Sequence, residues 1–129
     1  MDTMSVTLTR AGAATSIAEA RESARRFLED LLPAVAAGVA EKVVMVVSEL
    51  VTNALRHGGG AYTLDLSAHP DTIEVAVGDP SPRMPRMRTP DLVDGTGGFG
   101  WRMVNDLAHH VVVTPGPQAG KTVRAFLSR

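Results

Sequence analysis

The sequence predicts an α+β domain, a two-layer sandwich with three helices on one face of a mixed, mostly antiparallel sheet. Three observations lead there. Strand-like and helix-like segments follow one another in the order β-α-α-β-β-loop-α-β-β. Neighbouring strands are joined by turns too short for a crossover, which makes them antiparallel. The second helical segment is amphipathic, with an apolar arc to bury against the sheet.

Val6 and Leu8 alternate with Thr7 and Thr9, the period of a half-buried strand. "TSIAEARESARRFLEDLLP" then reads as a helix, with Ser16 and Glu19 at capping-box spacing and Pro33 as its stop. A second helix covers about Gly38 to His57, and Gly58 to Gly60 end it. On that helix Val43, Val46, Val47, Leu50, Val51, Ala54 and Leu55 share one apolar arc. Glu41, Lys42, Met45, Ser48, Glu49, Thr52, Asn53 and Arg56 fill the other. The strands "AYTLDLSAH" and "TIEVAVGD" flank a Pro70-Asp71 turn. Between Pro80 and Pro90 lie four prolines and three arginines, which no core element tolerates, so a lid or binding loop is expected there. A helix from about Gly98 to His109 follows. "HVVVTP" and "KTVRAFLS" then pair around "GPQAG". With no repeats, residues 1–129 form one domain.

Composition narrows the function. A net charge of −1 offers no bulk attraction to nucleic acid or an anionic membrane. Cysteine is absent, which excludes disulfides and thiol catalysis. No stretch approaches the roughly 20 apolar residues of a membrane span. "MDTMSVTLTR" lacks the apolar core of a signal peptide, so the expected location is the cytoplasm.

Two glycine motifs invite a phosphate reading. In "DGTGGFGWRMVND", Gly95, Gly97 and Gly100 match G-x-G-x-x-G. A dinucleotide fingerprint needs a strand directly before it and an acidic residue about 20 positions on. Here a Pro/Arg loop precedes it and Lys121 stands near that distance, so the dinucleotide reading fails. "GPQAGKT" has three residues between its glycines where a Walker loop has four, and it joins two strands. It is a hairpin turn. The first segment still lies at a helix N-terminus, where N–H groups favour an anion. Read alone, it could equally be a flexible linker.

The second helix tips the balance. Glu49 and Asn53 are four apart and stack on one face, a pair able to hold a water and a metal-bound phosphate. Moreover, "SELVTNALRHG" from Ser48 to Gly58 resembles the N box of the ATPase superfamily of gyrase, Hsp90, histidine kinases and MutL. Asp79 falls where that family places its adenine-reading aspartate, and Gly98-Phe99-Gly100 where it places its phosphate-binding G-x-G. "GKTV" from Gly120 resembles its closing segment, with Thr122 matching a threonine near the adenine. The small size and the wording "ELVTNALRHG" are most similar to the RsbW-like branch of anti-sigma factors with serine-kinase activity.

The resemblance implies the Bergerat ATP-binding fold, with ATP and Mg²⁺ as cofactors. It implies that Asp79 accepts the adenine amine, Asn53 ligates Mg²⁺ and Glu49 is the general base, while Gly98 and Gly100 present N–H groups to the phosphates. Arg83, Arg86 or Arg88 could reach the γ-phosphate. Implied partners are a STAS-type anti-anti-sigma protein, a sigma factor and a second copy of the chain. Two activities stay open: a Ser/Thr protein kinase, and a non-catalytic module whose partner affinity ATP sets. The chain departs from the family at "DPSPRMP", where D-x-G-x-G is usual. Trp101 stands where a leucine often follows the G-x-G, and is expected to pack in the core. His57, His109 and His110 lack metal-ligand spacing.

Overall fold

A computed structural model of the chain describes residues 4–11, 14–57, 61–81, 100–116 and 120–129. Their elements are β1 (Met4–Ala11), α1 (Ala14–Glu29), α2 (Ala37–His57), β2 (Ala61–Ala68), β3 (Thr72–Asp79), α3 (Gly100–Leu107), β4 (His110–Pro115) and β5 (Lys121–Ser128). The five strands form one sheet in the order β1-β2-β3-β5-β4. Every pairing is antiparallel, so the sheet is not mixed as expected. The α+β sandwich itself is as the sequence predicts.

Alternation decides which face of the sheet is covered. In β2, Tyr62, Leu64, Leu66 and Ala68 are buried, and Thr63 between them is exposed. Ile73, Val75 and Val77 of β3, and Val123, Ala125 and Leu127 of β5, continue the same apolar layer. Helix α2 lies on that layer and presents Val43, Val46, Val47, Leu50, Val51 and Ala54, all buried. Burying a valine or leucine side chain is worth about 1.5–3 kcal/mol, which outweighs the few tenths by which valine disfavours a helix. Helix α1 covers the flank of α2 with Ala20, Ala24, Phe27 and Leu28. That contact buries Val44, which lies outside the apolar arc read from the sequence.

Boundaries moved more than elements did. Helix α1 begins at Ala14, so Ser16 is already inside it and is not its N-cap. The same helix stops at Glu29, four residues before Pro33. Both hairpins are where the turn residues put them: His69 N–H donates to Thr72 O at 2.8 Å, and Gly116 N–H to Gly120 O at 2.7 Å. Trp101 is half-buried and packs against the core, as expected. The proposed lid from Pro80 to Pro90 lies outside the described residues, apart from Pro80 and Ser81.

Candidate functional site

Asp79 is the last residue of β3. Period two puts its side chain on the helix-facing side with Ile73, Val75 and Val77. Its register partner on β5 is Lys121. Lys121 Nζ donates to Oδ1 and to Oδ2 of Asp79, each at 2.9 Å. It also donates to the Ser81 carbonyl at 3.2 Å. The two side chains are 7% and 5% exposed, so this is a buried ion pair. Such a pair tolerates burial only when its remaining donors and acceptors are satisfied, and here the backbone helps. Ser81 N–H donates to Asp79 Oδ1 at 2.8 Å, an Asx-type turn that folds the chain as it leaves β3. Pro80, between them, suits a turn because its ring fixes φ. At "DPS" the aspartate side chain therefore shapes the turn.

One step back, Gly78 faces the open side of the sheet. A Cβ there would sit 2.7 Å from Thr63 Oγ1 and 3.5 Å from Thr122 Oγ1. Thr122 is the register partner of Gly78, so its side chain points away from the face that holds Asp79. Lys121, one position earlier, stands beside the Asp79 carboxylate instead. Sequence reasoning missed Lys121, although a signal was present. In "KTVRAFL" the lysine occupies the inward phase of an alternating strand, with Val123, Ala125 and Leu127. A lysine there needs a buried carboxylate, and Asp79 ends the neighbouring inward row.

Glu49 and Asn53 lie one turn apart on α2, both half-buried. Helix α3 packs against α2, and its first residue is Gly100. A Cβ built on Gly100 would collide with Oε2 of Glu49 and lie 3.2 Å from its Cδ. The start of α3 thus seats the Glu49 carboxylate against bare backbone. Burial pushes the Glu49 carboxyl above the ordinary glutamate range, and the Arg56 guanidinium pulls it partly back. A carboxylate raised in this way is the better proton acceptor. Gly98, Arg83, Arg86 and Arg88 lie outside the described residues. His109 and His110 are exposed, and His110 is tilted against the Phe126 ring at 5.7 Å. Among the described residues, no cluster of three or more His, Asp or Glu side chains could hold a metal ion unaided. A metal at Asn53 would draw its other ligands from a bound phosphate, as a hard cation readily does.

The family model for the histidine kinase-like ATPase domain matches residues 11–127. The chain belongs to that family. Membership implies ATP as the bound nucleotide. Among solved structures, the chain is similar to the RsbU and RsbW domains of Rv1364c from Mycobacterium tuberculosis, with a TM-score of 0.72 and 16% identity. That match covers 98% of this chain and 33% of the Mycobacterium chain, so this ATPase domain spans a third of that protein's length. A second similarity, to the histidine kinase domain of the E. coli osmosensor EnvZ, has a TM-score of 0.45 and 20% identity over 69% of this chain and 65% of that one. No curated protein matches the sequence. Among the described residues, no helix of this ATPase domain is long and apolar enough to cross a membrane.

Proposed function

We propose that this ATPase domain is a cytoplasmic anti-sigma-type regulator that phosphorylates a serine or threonine of a STAS-type partner and binds a sigma factor. In this reading Asp79 takes the adenine amine and Asn53 ligates Mg²⁺. Gly98 and Gly100 present N–H groups to the phosphates. The metal would supply charge neutralisation at the phosphate oxygens. Glu49 accepts the proton of the partner's hydroxyl as that oxygen bonds to the γ-phosphorus and ADP leaves. The observation that carries the reading is the Glu49 carboxylate, made more basic by burial and seated against Gly100.

The test is radiolabel transfer from ATP to a purified STAS protein, with ATP affinity measured in parallel. Glu49→Ala is expected to keep ATP affinity, because a carboxylate beside phosphates does not assist binding. Transfer should fall on the order of 10²-fold or more. If the unaltered protein binds ATP and modifies no STAS candidate, it is a non-catalytic binding module. Joint loss of binding and transfer in Glu49→Ala would make Glu49 structural.

A further inference from the structure

The Asp79–Lys121 pair can be resolved bond by bond. An ionised aspartate has about four lone-pair positions, two on each oxygen. On Oδ1, one receives Ser81 N–H at 2.8 Å and the other receives Lys121 Nζ at 2.9 Å. On Oδ2, one receives Lys121 Nζ at 2.9 Å. Among the described residues the second position on Oδ2 receives no protein donor. Lys121 Nζ, in turn, donates to Oδ1, Oδ2 and the Ser81 carbonyl.

A buried carboxylate in this state offers one acceptor position. The bases differ in how many they need. Adenine's exocyclic amine can satisfy one position with one N–H. Guanine presents N1–H and N2–H side by side, which call for both oxygens of a carboxylate. It also carries O6, an acceptor, next to them. With Oδ1 already saturated, the paired donors of guanine would leave one N–H without a partner in a buried place, which is costly. We propose that Lys121 is the specificity-determining residue of the base site. By occupying Oδ1 it turns a two-oxygen acceptor into a single-position one, and so excludes guanine. The inference rests on the reading of Asp79 as the base-binding residue.

The experiment compares the affinities of the full chain for Mg-ATP and Mg-GTP by calorimetric titration. The unaltered protein should bind ATP on the order of 100-fold more tightly than GTP. Lys121→Met keeps most of the side chain's length without its donors, frees a position on Oδ1 and should narrow that ratio about tenfold, through a gain in GTP affinity. Lys121→Arg restores two donors to the carboxylate and should restore the ratio, which a merely structural lysine would not require. Should Lys121→Met fail to fold, Lys121→Leu, which likewise has no donor, carries the same comparison. An unchanged ATP/GTP ratio in the neutral variant overturns the proposal. Asp79→Asn separates the two levels of the argument. If it weakens ATP binding while the lysine variants leave the ratio alone, only the role of Lys121 falls. If it leaves ATP binding intact, the base is not read at Asp79 and both readings fall.

Discussion

The Glu49 carboxylate occupies the space in which a side chain on Gly100 would begin. One residue is on α2 and the other starts α3, so the join of two helices sets where the carboxylate rests. Glycine at position 100 therefore leaves room for Glu49.

Gly100→Ala makes that relationship measurable. The clash is with the far end of a flexible side chain, which can swing aside at small cost. Alanine also suits a helix better than glycine by up to about 1 kcal/mol. Thermal stability should hold or rise slightly. Transfer to a STAS partner should drop on the order of 10²-fold, because the base has left its seat. A variant with unchanged transfer would show that Glu49 works equally well elsewhere.

A second prediction concerns pH. Burial raises the Glu49 carboxyl in the folded state, so there the folded chain holds a proton that the unfolded chain has released. Stability from this group is present below the ordinary glutamate pKa and declines as pH rises through the raised one. Glu49→Gln removes the titration. In urea denaturation from about pH 4 to about pH 7, the parent should lose stability relative to Glu49→Gln as pH rises. A constant difference across that range would mean that Glu49 titrates alike in both states.

The elements were legible because their periods are strong. Six of the seven residues placed on the apolar arc of α2 are buried, and only Leu55 is half-exposed. Val44 escaped because α1 covers it, a contact that periodicity along α2 does not encode. The site was legible in part for the same reason. Glu49 and Asn53 are neighbours on one helix, so spacing alone brings them together. Asp79 and Lys121 are 42 residues apart and meet only through the β3–β5 register, which depends on how the sheet is ordered. Lys121 is also hidden by its setting, since "GPQAGKT" reads as a hairpin turn. The sheet order is equally beyond local spacing: β5 lies between β3 and β4, and every neighbour among the described strands is antiparallel.

The core gives a contrast free of function. Leu66 of β2 is wholly buried under the helices, whereas Leu32, in the α1–α2 connection, is 79% exposed. Leu66→Ala should cost about 3 kcal/mol or more in chemical denaturation, from lost burial and the cavity left behind. Leu32→Ala should stay within about 0.5 kcal/mol of the parent. Similar losses at the two positions would mean that the connection is packed against something in solution.

Asn53 supplies the last test, because its proposed task is separable from the fold. It is half-buried on α2, one turn after Glu49, and is not among the buried core residues. Asn53→Ala should leave the urea midpoint nearly unchanged, alanine being the better helix former. The amide oxygen is a suitable ligand for Mg²⁺, which keeps strict octahedral geometry and tolerates the loss of a ligand poorly. ATP affinity measured with Mg²⁺ should therefore fall, whereas affinity measured in excess chelator should match the parent. The ratio of the two affinities isolates the metal from the nucleotide. If both fall together, Asn53 contacts the nucleotide itself, and if neither moves it is a solvated helix residue.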